Sequence, residues 1–147
     1  MSAMRPLAPP KARANRVGHR GYIASRPVRG QLMPQQVQNL VVRDYARRRG
    51  LTYKLSATEY GMAGNYMMLE TVLAELDGLE GIILFSLFML PQRPERRHAI
   101  YRRVLDAGGS LHAALEDLAV TCEADIARIE DILLLEPFTT HRSVVGA

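Results

Sequence analysis

The stretch that most narrows what this chain can become is Gly81-Ile82-Ile83-Leu84-Phe85-Ser86-Leu87-Phe88-Met89-Leu90-Pro91. It is apolar without a break from Ile82 to Phe85, so the strand it predicts must be covered on both faces. Such strands belong to parallel sheets held between two layers of helix. The run stops well short of the roughly 18 apolar residues needed to span a bilayer, so no membrane partner is expected.

The segments on either side fit that reading. Arg20-Gly21-Tyr22-Ile23-Ala24-Ser25 predicts a first strand at about 21–25, which runs into the basic loop Arg26-Pro27-Val28-Arg29-Gly30. Pro34 is a good first-turn residue, and Val37, Leu40, Val41 and Tyr45 recur at helical spacing until Gly50. Alternation over Leu51–Ser56 predicts a second strand, followed by a loop carrying Glu59, Tyr60, Gly61 and Gly64. Asn65 caps a helix whose stripe is Leu69, Val72, Leu73 and Leu76. After the apolar strand, Pro91 and Pro94 precede a helix with Ile100, Tyr101, Val104 and Leu105. Ser110–Leu115 predicts a fourth strand, and 122–134 a last helix. The order β-α-β-α-β-α-β-α with short links predicts one α/β domain of three layers: about four parallel strands, right-handed crossovers and helices on both faces. Residues 20–135 form this domain, 1–19 a loose basic tail and 136–147 a loose C-terminal tail.

The 147 residues suffice for one domain with a real core, and 48% hydrophobic with 23% charged residues is ordinary for a globular protein. The charge is unevenly spread. Residues 1–50 hold eleven Arg and Lys against the one acid Asp44, whereas 51–147 hold eight against fourteen. A basic half of this kind suits an anionic partner or a solvated tail. The N-terminus has basic residues without an apolar segment behind them, so no secretory signal is expected. The single cysteine, Cys122, can form no internal disulfide, which fits a cytoplasmic location.

In an open parallel sheet, ligands bind beyond the C-terminal ends of the strands. The polar residues expected there are Ser25, Arg26 and Arg29 after the first strand, and Gln35 and Gln38 on one face of the following helix. Glu59 and Tyr60 follow the second strand and Ser86 the third. His112 lies in the fourth strand and Glu116 at its exit. Arg26, helped by Arg29 or Arg43, suits a phosphate or carboxylate. Glu59 or His112 are acid–base candidates, and Ser25, Ser86 and Gln38 are hydrogen-bonding groups. Each has a plain structural alternative: a local cap, an ion pair, or a core histidine.

Several signatures are missing. No Gly-x-Gly-x-x-Gly or Walker-type loop follows a strand, no His/Cys set has metal spacing, and no Gly-x-Ser-x-Gly elbow occurs, so neither cofactor nor metal is expected. The basic helix with Arg93, Arg96, Arg97, Arg102 and Arg103 lacks an aromatic platform, so specific nucleic-acid binding is not expected.

Two resemblances rest on these residues. Tyr22-Ile23-Ala24-Ser25-Arg26, the helix start around Gln35, Gln38 and Leu40, Gly81–Leu90 and Leu115-Glu116-Asp117-Leu118 resemble the catalytic domain of serine recombinases, or resolvases. That family has Arg and Ser two residues apart after its first strand, where Ala24 and Arg26 stand here, so the resemblance implies the scaffold without DNA strand exchange. Ser25-Arg26-Pro27, Pro34-Gln35-Gln36-Val37-Gln38-Asn39, Arg43-Asp44-Tyr45, Leu55-Ser56-Ala57-Thr58-Glu59-Tyr60 and Phe85–Pro91 are similar to the sporadic carbohydrate cluster proteins, found beside bacterial genes for surface-sugar biosynthesis. This second resemblance implies a carbohydrate context and names no reaction.

The expected function is therefore that of an accessory protein or enzyme of surface-glycan biosynthesis. Its partner would be an anionic small molecule: a sugar phosphate, nucleotide sugar or acidic sugar. The competing expectation is a non-catalytic regulatory or interaction module. Met67, Met68 and Leu69 offer an adaptable apolar surface that suits a homo-oligomer.

Overall fold

Ile82, Ile83 and Leu84 are fully buried in the middle of a five-stranded sheet, as their uniform apolarity requires. The computed structural model describes residues 16–62, 64–136 and 138. Most of the two expected tails, 1–15 and 139–147, lies outside the described residues. The elements run β1 (His19–Ala24), α1 (Gln35–Arg49), β2 (Tyr53–Glu59), α2 (Met67–Ala74), β3 (Gly81–Leu84), α3 (Pro94–Asp106), β4 (Ser110–Ala113), β5 (Leu118–Val120) and α4 (Glu123–Leu135). Spatial order is β2-β1-β3-β4-β5, with the first four parallel and β5 antiparallel to β4. The described residues thus form an α/β fold with a mostly parallel sheet and four α-helices.

The register sorts residues between the two layers, because side chains alternate along a strand. His19, Gly21 and Ile23 face one way with Ile83 and His112, toward α1. Ser56 on that face donates to Asn39 of α1, and His112 meets Tyr45. Arg20, Tyr22 and Ala24 face the other way, and Arg20 pairs with Glu75 beyond α2. On this side Arg103 of α3 reaches Glu70 of α2, while Arg97 and Tyr101 of α3 bind Glu130 of α4. One helix therefore covers one face, and three share the other. Gly81 has no room for a side chain, since a Cβ there would strike the Ser110 carbonyl.

Four sequence expectations need correction. First, the buried face of α1 is Gln38, Val42, Tyr45 and Ala46, whereas Leu40 is 65% exposed and Val37 also faces solvent. Helical spacing alone allowed either choice, and the sheet took the face that let Gln38 bond to β1. Second, β2 runs to Glu59, so Glu59 is no loop residue. Third, the fourth strand stops at Ala113; residues 114–117 form a turn with Asp117 at φ 60, and the chain doubles back as β5. Fourth, Tyr66, not Asn65, is the helical boundary of α2, although the Asn65 side chain still accepts the Met67 N–H at 3.1 Å.

Candidate functional site

The strand order reverses between β1 and β3. From β1 the chain crosses outward to β2, and from β3 it crosses the other way to β4. Loops leaving neighbouring strands in opposite directions open a crevice at their C-terminal ends. A cavity of about 250 Å³ lies there, lined by Val28, Arg29 and Met33 after β1, Ser86 and Phe88 after β3, and Glu116 after β4, among others.

The loop after β1 is shaped by a two-residue turn. Val28 and Gln31 exchange backbone hydrogen bonds at 2.9 and 3.1 Å, and Arg29 and Gly30 between them have φ of 53° and 80°. Two consecutive positive φ values mark a primed hairpin turn, which usually selects Gly, Asn or Asp. Arg29 in that position projects its guanidinium 4.2 Å above the Phe88 ring and 3.6 Å from Glu136.

Gln38 fixes the base of this loop. Where β3 has ended, the Gln38 amide takes the place of a strand rung: Oε1 accepts from Ala24 N at 2.9 Å, and Nε2 donates to Ala24 O at 2.7 Å and Met33 O at 2.8 Å. All three of its bonds hold backbone, so Gln38 is committed to structure. Gln35, expected on the same face, is exposed.

On the β3 side, Ser86 is buried and donates to Glu116 Oε2 at 2.8 Å, while Leu87 N–H donates to Glu116 Oε1 at 2.8 Å. Ser86 also accepts from Phe88 N at 3.2 Å. The Glu116 carboxylate is thereby held at the cavity wall, with one donor on each oxygen. The arrangement offers a fixed hydrogen-bond acceptor, a guanidinium and an apolar floor.

The remaining expected residues are distributed as follows. Arg26 stands at the rim, its Nη1 donating to Met62 O and Asn65 O at 2.7 Å each, with the guanidinium 5.1 Å from the Tyr66 ring centre. The half-buried Ser25 is next to it and is tied by its backbone N–H to Glu59 O. Tyr60 is exposed, and its carbonyl accepts from Asn65 at 3.5 Å. Glu59 turns inward: it is buried, accepts the Tyr22 hydroxyl at 2.7 Å, and caps α2 by accepting Met68 N and Leu69 N at 3.0 Å each. Burial and this carboxylate push the Tyr22 hydroxyl well above its usual range.

His112 and Arg43 do not join the rim. His112 points down toward the start of the sheet. Its Nδ1 shares a proton with Tyr45 Oη at 2.7 Å and its Nε2 with Ser110 Oγ at 2.8 Å, and His19 meets it edge-on at 5.4 Å. Burial first, then His19 and Arg49, hold its pKa down to about 4. It is the neutral centre of a core network, as both its ring nitrogens are engaged. Arg43 lies over Tyr53 on the outer flank of α1, where it lines a shallow groove with Leu40 and Leu51. Sequence reasoning missed Gln31 and Phe88 as lining residues. The apolar run containing Phe88 was visible, but nothing local marked its ring as the seat of a cation.

Among the described residues, no group of three His, Cys, Asp or Glu side chains converges as a metal site, and no helix is long and apolar enough to cross a membrane. No protein-family model matches this chain, and no curated protein matches it. Among solved structures, the chain is similar to the N-terminal catalytic domain of TP901-1 integrase, with a TM-score of 0.52 and 14% identity over 80% of this chain and 95% of that one. The fold described above therefore resembles that of this catalytic domain, and at this identity the likeness extends to the fold alone.

Proposed function

We propose that this protein binds an anionic sugar metabolite in the switch-point cavity, as part of bacterial surface-glycan biosynthesis. The observation that carries the reading is that Arg29 and the Ser86-held Glu116 line one cavity at the β1/β3 switch point. A carboxylate fixed by two donors accepts hydroxyl hydrogens from a sugar, and Arg29 holds the negative group. The walls of Val28, Met33 and Phe88 cover the apolar face of a sugar ring. The resemblance to the sporadic carbohydrate cluster proteins supplies the carbohydrate context.

The reading is one of binding. Of the acid–base candidates, Glu59 is used by three donors and His112 by two hydroxyls, so neither points at the cavity. Strand exchange of DNA is not proposed, since Ala24 and Arg26 occupy the positions of the recombinase Arg and Ser. The competing reading, an interaction module without a ligand, calls for a flat rim, and the cavity at the strand ends favours the first.

The test is a thermal-shift and calorimetric panel of sugar phosphates, nucleotide sugars, uronic acids and neutral sugars. At least one anionic sugar should bind, and Arg29→Ala should weaken it about tenfold or more, the range of one charge-assisted hydrogen bond. Absence of binding by every anionic sugar overturns the proposal.

A further inference from the structure

A second, smaller cavity of about 90 Å³ adjoins the first and shares Val28, Arg29 and Phe88 with it. Its character is different. Glu116 lines the first cavity, whereas no carboxylate lines the second among the described residues; Arg26 and Arg29 both do, with Tyr66 and Gln92. Two arginines lining one small space concentrate positive charge there, which a bound anion would offset.

Both arginines are held in place before any ligand arrives. Arg26 is fixed by two carbonyls on Nη1 and by the Tyr66 ring. Arg29 is fixed over Phe88 by its positive-φ turn position. The Arg29 Nε is buried without a hydrogen-bond partner among the described residues, and Arg29 lines both cavities. Arg96 of α3, 4.9 Å from the same Tyr66 ring, adds a third positive charge nearby. Glu136 approaches Arg29 at 3.6 Å from outside the lining.

We infer that the smaller cavity is a phosphate subsite formed by Arg26 and Arg29, and that the ligand is a phosphorylated sugar whose ring occupies the larger cavity. This rests on the sugar-binding reading above and sharpens it. Two guanidiniums lining one space suit the several terminal oxygens of a phosphate better than the two of a carboxylate. Arg29 bridges the two subsites, touching the phosphate on one side and the sugar end on the other. Glu116 keeps the charged group out of the larger cavity by repulsion, which fixes the ligand's orientation.

The experiment is calorimetry on the full chain with glucose 1-phosphate, glucuronate, glucose and inorganic phosphate as probes. The wild-type protein should bind glucose 1-phosphate at least about tenfold more tightly than glucuronate or glucose, and should bind inorganic phosphate weakly. Arg26→Ala should lower affinity for both phosphates by about tenfold or more. Because Arg26 also tethers the loop at Met62 and Asn65, Arg26→Lys is measured beside it, with the melting temperature of each variant. Lysine keeps the charge and loses the fork, so partial recovery is expected. Arg48→Ala, at the opposite end of α1, removes the same charge away from the rim and should leave phosphate binding unchanged. Glucuronate binding as well as glucose 1-phosphate, or an Arg26 variant that melts normally and keeps wild-type phosphate affinity, overturns the subsite while leaving the sugar site standing. If no probe binds and no other anionic sugar binds either, both proposals fall together.

Discussion

The Ser86 hydroxyl donates to Glu116 Oε2 at 2.8 Å, joining the ends of β3 and β4 directly beside the switch-point cavity. The bond orients a carboxylate that lines the larger cavity. Ser86→Ala should cost about 1 kcal/mol of stability, the net value of one hydrogen bond. It should also weaken binding of an anionic sugar severalfold, because Glu116 is then held by Leu87 N–H alone. Urea denaturation and calorimetry on the same variant read the two effects separately.

Glu59 is a structural carboxylate at the end of β2. It satisfies the Tyr22 hydroxyl and two otherwise unpaired N–H groups of α2. Glu59→Leu leaves all three donors buried or half-buried without an acceptor and should destabilise the fold by about 3 kcal/mol or more. The melting temperature should fall by roughly 6–12 °C for a domain of this size. A loop carboxylate acting only in catalysis would leave the melting temperature almost unchanged.

His112 makes stability pH-dependent in the acid range. Its folded pKa is about 4, against an ordinary 6.5, because burial opposes the charged ring. His19 is lowered by burial too, with the Thr52 carbonyl opposing. In the unfolded chain both rings take up a proton near pH 6.5, while the folded chain excludes it, so stability is lost as pH falls from about 6.5 toward 4. For His112 alone the loss approaches about 3 kcal/mol at pH 4. Denaturation at pH 7 and pH 5 should therefore differ for the wild type, and the difference should shrink in His112→Gln, which keeps hydrogen-bonding groups between Tyr45 and Ser110 without the ionisable ring.

Under the binding proposal, Glu136 competes with the ligand's anionic group for Arg29. Its carboxylate is 3.6 Å away and largely exposed, so the pair contributes little to stability. Glu136→Gln should raise affinity for a phosphorylated sugar by about two- to fivefold, as expected for removal of a weak, screened competitor, with no measurable change in melting temperature. An unchanged affinity in calorimetry would place the bound anion away from Arg29.

The layer structure was legible because burial on both faces leaves a one-dimensional trace. Ile82 to Phe85 had to be central, and the helices between strands had to cover them. The loop 25–30 was legible as an edge of the strand-end cavities through its polar, basic and Pro/Gly composition. The face of α1 was not legible, since its periodic apolar set competed with a single glutamine whose partners are in β1. The return strand β5 was hidden too, because three residues are too short for a periodic signal.

For this protein, then, the sequence alone determined the alternation of strands and helices, the central strand and the basic rim loop. Each is written in neighbouring residues. The tertiary structure decided which polar residues meet. It sent Glu59 and His112 into buried networks, set Arg43 on an outer flank, and brought Arg29, Ser86 and Glu116 together at the switch point. The reason is physical: a buried polar group takes whatever partner the packing supplies. For Glu59 that partner was a helix terminus, and for His112 it was two hydroxyls, one of them 67 residues away in the chain.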